Sequence, residues 1–152
     1  MKKSCILLAL LPLIVVPGGF VFFFNLIGET IKEVAEEPVP YSCLHEPEQD
    51  SVPPFARNIY RAYYAHWQVF ECAWRFDMPP GNEDQLKQWV NAKGGQAVNV
   101  AQFCELRELP PPSWWSRPAD ARLVSNRQLD GGLHMSMWFS GSANRVWILY
   151  ER

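Results

Sequence analysis

Residues 5–28, CILLALLPLIVVPGGFVFFFNLIG, contain no charged side chain. A bilayer core of about 30 Å is crossed by roughly 20 apolar residues rising 1.5 Å each. The 24 residues of this run therefore suffice, even with tilt. Pro12, Pro17 and the Gly18-Gly19 pair would break a helix in water, but a membrane helix tolerates them with a kink. Lys2 and Lys3 form a basic cytoplasmic tip over residues 1–4, which places the rest of the chain outside. The run predicts an uncleaved transmembrane signal-anchor in the cell (inner) membrane, with the C-terminal part extracytoplasmic or periplasmic. The alternative is a cleaved signal peptide, since residues 5–16 have the length of an h-region. Against cleavage, hydrophobicity resumes at Phe20–Phe24, and no small-x-small pair follows the run. Cys5 precedes the run, where a lipidated cysteine should follow it, so it reads as a lipid-facing or buried thiol.

The net charge of −2 conceals a segregation. Residues 29–50 carry seven acids and one base, whereas residues 51–152 carry nine acids and eleven bases. Dispersed charge of net +2 lacks the clustered basic footprint of a nucleic-acid binder, and none is expected. The acidic stretch belongs to a Pro-rich segment, residues 29–54. There Pro38, Pro40, Pro47, Pro53 and Pro54 forbid a continuous helix. Composition predicts an extended, self-repelling stalk. Its functional alternative is an acidic docking strip for a basic partner.

Residues 55–152 read as one domain, and all seven tryptophans follow residue 66. Phe55, Ile59 and Tyr63 repeat at four-residue spacing and predict a helix over 54–64, although the aromatic run also suits extended chain. Phe70, Cys72, Trp74, Phe76 and Met78 alternate with Glu71, Ala73, Arg75 and Asp77, which predicts a strand with one buried face. Residues 82–93 predict a helix. Asn82 stands at the cap, Glu83 and Asp84 lie in the first turn, Leu86, Trp89 and Val90 form one stripe, and Gly94-Gly95 is the stop. Residues 96–109 fit a strand or a short helix. Strands follow at 121–128, 133–140 and 145–151, the first two joined by Asp130-Gly131-Gly132. If residue 140 faces 145, then Met135, Met137 and Phe139 share a face with Tyr150, Ile148 and Val146. The expected fold is α+β: an antiparallel sheet of about four strands with one or two helices packed on one face.

Cys72 and Cys104 fall in predicted domain elements, and an extracytoplasmic domain permits a disulfide between them. Cys43 is the leftover thiol, with a bridge to either as the alternative. Trp114 and Trp115, adjacent in a Pro-rich loop, are candidate partner-binding anchors. Their structural alternative is to plug the open end of the sheet. Trp138 and Trp147 fit either a second hydrophobic layer or a binding surface. His45, His66 and His134 stand in no metal-binding or catalytic motif, and no HExxH, P-loop, GxGxxG or GxSxG occurs. No catalytic residue, metal or cofactor is expected. The sequence thus points to a membrane-anchored, non-enzymatic protein-binding or envelope-assembly module, of which an immunity-type inhibitor is one version. The alternatives are an enzyme with a motif-free assembled site and a structural spacer.

Overall fold

The C-terminal alternation is the frame of the structure. The computed structural model describes residues 31–66, 69–98, 106–116 and 118–152. They contain seven strands: β1 (Ile31–Val34), β2 (Arg57–His66), β3 (Val69–Asp77), β4 (Gln96–Ala97), β5 (Arg122–Gln128), β6 (His134–Ser140) and β7 (Arg145–Glu151). Two helices accompany them, α1 (Glu46–Gln49) and α2 (Glu83–Ala92). All strands lie in one sheet, ordered β1-β2-β3-β7-β6-β5-β4, with every neighbour antiparallel. Ser140 pairs with Arg145, which aligns Met135, Met137 and Phe139 with Tyr150, Ile148 and Val146, the register the alternation requires.

Two expectations are corrected. The fold is a seven-stranded antiparallel sheet with little helix, not a four-stranded α+β sheet covered on one face. Residues 57–66 are strand because β1 and β3 flank them and satisfy their backbone on both sides. That pairing overrides the four-residue spacing of Phe55, Ile59 and Tyr63. The membrane anchor is the second correction. Among the described residues no helix is long and apolar enough to cross a membrane, so an integral anchor and the inner-membrane, extracytoplasmic placement built on it are not supported. The expected span at 5–28 lies outside the described residues.

The central strands are apolar on both sides. One face carries Cys72, Trp74 and Phe76 beside Val146, Ile148 and Tyr150 and beside Met135, Met137 and Phe139. Helix α2 covers part of it with Leu86 and Val90. Asn82 stands at the N-cap of α2 but does not cap it, because its amide donates to Gln85 Oε1 at 3.1 Å. Glu83 and Asp84 still occupy the first turn, where the helix dipole favours anions. The opposite face carries Trp138, Trp147 and Leu149, the second hydrophobic layer, and the loop 106–121 lies over it. Trp138 and Trp147 are direct cross-strand partners. Each removes 150–250 Å² from water, about 4–6 kcal/mol of transfer free energy.

Of residues 29–54, expected as a stalk, the described ones, 31–54, supply β1 and further cover for the first face. A strap over 35–56 pairs Val39 with Ile59 and buries Leu44 and Val52 in the first core. Its backbone receives the Tyr150 hydroxyl at Ser51 O (3.2 Å) and Lys93 Nζ at Asp50 O. Asn58, at φ 48°, takes up the left-handed turn at the bulge where the strap enters β2, and its amide donates to Asp77 Oδ2 at 2.9 Å. Gly95 is required where α2 runs into β4, since a Cβ there would sit 2.6 Å from Gln128 O.

Leu44→Ala should therefore lower unfolding stability by about 2–4 kcal/mol in urea denaturation. A loss under about 0.5 kcal/mol, the usual size for a solvated surface site, would mean that the strap contributes nothing to the core.

Candidate functional site

Strands β1, β2 and β3 place their first-face residues in a row, because Glu33 pairs with Tyr63, Tyr63 with Cys72 and Arg61 with Trp74. Above that row pass Pro47, Glu48 and Ser51 of the strap. Between them lies an open cavity of about 400 Å³. Its walls are mostly apolar: Ile31, Tyr63, Phe70 and Trp74. The Tyr63 and Phe70 rings meet edge to face, 5.4 Å apart at 77°. Arg61 spans the rim. Its guanidinium donates to Glu33 Oε1 at 2.7 Å and, through the other nitrogen, to Glu48 Oε1. Glu48 Oε2 also accepts the backbone N–H of His45 at 3.0 Å. The Arg61 fork thus joins sheet edge to strap, a geometry that suits paired carboxylates.

Cys72 forms part of the cavity floor. It is a free thiol, and burial pushes it up to about 12, against smaller opposing pulls from the Trp74 indole N–H and the Arg61 charge. A thiol so held is neutral and a poor nucleophile at ordinary pH. Its expected partner, Cys104, lies outside the described residues, and the Cys72 side chain faces away from the 106–109 segment, which covers the other side of the sheet. Cys43 is exposed and free.

Trp114 and Trp115 are not exposed anchors. They are 4% and 6% accessible and pack into the second core. Their rings meet edge to face at 6.0 Å, and Trp114 also packs on Tyr60 at 5.8 Å. The Trp114 indole N–H donates to Ala35 O at 3.0 Å. The proline-rich loop folds flat because the sheet offers it Trp138, Trp147 and Leu149 to cover.

The loop is fastened by a residue that alternation alone marks only as polar. Glu71 is 2% accessible, yet both carboxylate oxygens accept backbone N–H groups: Arg107 N on Oε1 at 2.8 Å, and Glu108 N and Leu109 N on Oε2 at 3.2 Å each. Beside it lies a second cleft of about 400 Å³, where His134 Nδ1 meets Glu151 Oε1 at 3.1 Å. Glu71, Glu151 and His134 stand in line across β3, β7 and β6. This cleft gathers a histidine with acids, but among the described residues no serine, threonine or cysteine lines it. His45 is exposed and lies in the strap, and His66 ends β2, paired with Val69. Among the described residues no cluster of three or more His, Cys, Asp or Glu could hold a metal ion.

The chain matches no protein-family model, no curated protein and no solved structure.

Glu71→Ala leaves three N–H groups, one of them in buried Leu109, without their acceptor and should cost about 1–3 kcal/mol in chemical denaturation. Glu71→Gln keeps one carbonyl oxygen and should cost less, so equal losses would refute the clamp. In a Cys5→Ser, Cys104→Ser background at pH 8, a thiol reagent should label exposed Cys43 far faster than Cys72, which is buried and whose thiol is pushed up to about 12. Because folding favours the neutral Cys72 thiol, its contribution to stability is complete below the ordinary value of 9.0 and is lost as pH rises toward about 12. Comparable labelling rates at pH 8 would show that Cys72 is not buried in this way.

Proposed function

We propose that this protein is a non-enzymatic binding module that engages a protein partner on the strap side of its sheet. The observation that carries the reading is the open, aromatic-walled cavity of about 400 Å³ with a charged rim. A concave apolar site with a few convergent polar groups is the common form of a recognition site. By residue type the cavity lining holds two nucleophiles, Cys72, whose thiol is kept neutral, and Ser51, and among the described residues no histidine lines the cavity beside them. Exposed Ile31, at 57% accessibility, adds apolar surface at the mouth. Trp114 and Trp115 pack into the second core, so the strap side offers the more accessible apolar surface for a partner.

The test is site-specific photo-cross-linking of the full chain in its own cells, with benzoylphenylalanine at position 31 or, as a control, at Lys87 on the exposed side of α2. A discrete adduct from position 31 that is missing from position 87 is the expected result. No adduct at 31, or the same ladder from both positions, would count against a docking site at the cavity.

A further inference from the structure

We infer that the group received by this cavity is a basic side chain, an ammonium or guanidinium head on an aliphatic stem. The inference rests on the reading of the cavity as a docking site and adds the chemistry of its occupant. The walls suit a stem: Ile31, Tyr63, Phe70 and Trp74 offer apolar surface, and three of these four are aromatic. Tyr63 and Phe70, set at 77° to each other, present a ring face and a ring edge to the same space. A cation beside such rings is attracted by their quadrupole, most strongly where water is thinned out.

The rim suits a cationic head. Among the described residues lining the cavity, the charged groups are Glu33, Glu48 and Arg61, so the lining carries one negative charge in excess. Glu48 is committed through both oxygens, one to Arg61 and one to the His45 backbone. Glu33 gives Oε1 to Arg61, and its side chain remains 58% exposed. Its second oxygen therefore stands at the mouth as an acceptor for an incoming N–H. The surroundings carry the same sign, since residues 31–54 contain six acids and one base. This acidic segment supplies the rim through Glu33 and Glu48, and its charge raises the encounter rate of basic partners. An anionic occupant would meet that field as repulsion. A neutral apolar occupant would fill the walls but leave the second Glu33 oxygen and the excess negative charge of the rim unmet.

The probes are n-butylammonium, which has the length of a lysine side chain, and 1-butanol, its neutral counterpart of equal heavy-atom count. Each is titrated into the full chain at low salt. The reporter is the Trp74 indole N–H resonance in ¹⁵N-correlated NMR, assigned by its loss in Trp74→Phe. The expected result is a saturable shift with butylammonium at an affinity about tenfold above that of butanol, from cation–π and ion pairing together. The preference should shrink in 0.5 M salt. It should disappear in Glu33→Gln, a change at an exposed side chain that leaves the core intact, whereas Lys87→Gln should not alter it. Equal affinity for both probes would overturn the basic-side-chain inference while keeping the cavity as an apolar docking site. No response to either probe would overturn the inference together with the docking reading.

Discussion

A sheet whose middle strands are apolar on both sides needs cover on both sides. Strands β3, β7 and β6 carry one core through Trp74, Phe76, Met137 and Ile148, and another through Ala73, Trp138, Trp147 and Leu149. Neither layer can face water without giving up the burial that stabilises so small a domain. Among the described residues there is one helix of useful length, α2, and it covers part of one face only. Irregular segments supply the remaining cover: the strap on the first face and the proline-rich loop on the second. Irregular backbone over a core brings polar groups that must be satisfied, and the manner of satisfying them differs between the two sides.

On the second face a buried carboxylate does this work. Glu71 accepts three successive N–H groups and organises the first turn of the loop around one charge. Charge-assisted bonds of this kind are strong, and the innermost donor, Leu109 N, is buried. On the first face the fastenings are nearer to solvent. Arg61 joins Glu33 and Glu48, Lys93 reaches Asp50 O, and the Tyr150 hydroxyl reaches Ser51 O. Partly exposed pairs contribute little to stability, so this cover is held chiefly by Leu44 and Val52. Where those two anchors end, toward β1, the cover thins and the cavity opens.

Much of the sheet was legible. Period-two alternation identified β3, β5, β6 and β7, and one register of the last hairpin put Met135, Met137, Phe139, Val146, Ile148 and Tyr150 on one face. Helix α2 was marked by its first-turn acids and its glycine stop. Strands β1 and β2 were not legible, for separate physical reasons. Ile31–Val34 is strand because β2 offers it a free edge, and no local preference in Ile-Lys-Glu-Val reveals a partner some thirty residues further along. In β2, tyrosines, alanines and an arginine suit either periodicity, so pairing on both sides decides. Prolines and acids in 35–54 truly forbid a long helix, but they do not forbid packing, and Leu44 and Val52 are too few to stand out in composition. The cavity was hidden for the same cause: it forms where the strap meets β1–β3. Trp114 and Trp115 misled because adjacency suggests that one of the pair must stay outside. A loop lying flat over a second apolar face accommodates both.

The bond from the Trp114 indole to Ala35 O crosses from the loop of one face to the start of the strap that covers the other. Ala35 is also where β1 leaves the sheet, its N–H still bonded to Arg61 O at 2.9 Å. The two covers, separate in sequence and laid on opposite sides, thus meet through a hydrogen bond at one edge of the sheet. That bond acts as a seam. A local opening there would expose a margin of both coats in the same event, while Glu71 and the Leu44 and Val52 anchors hold the rest of each in place.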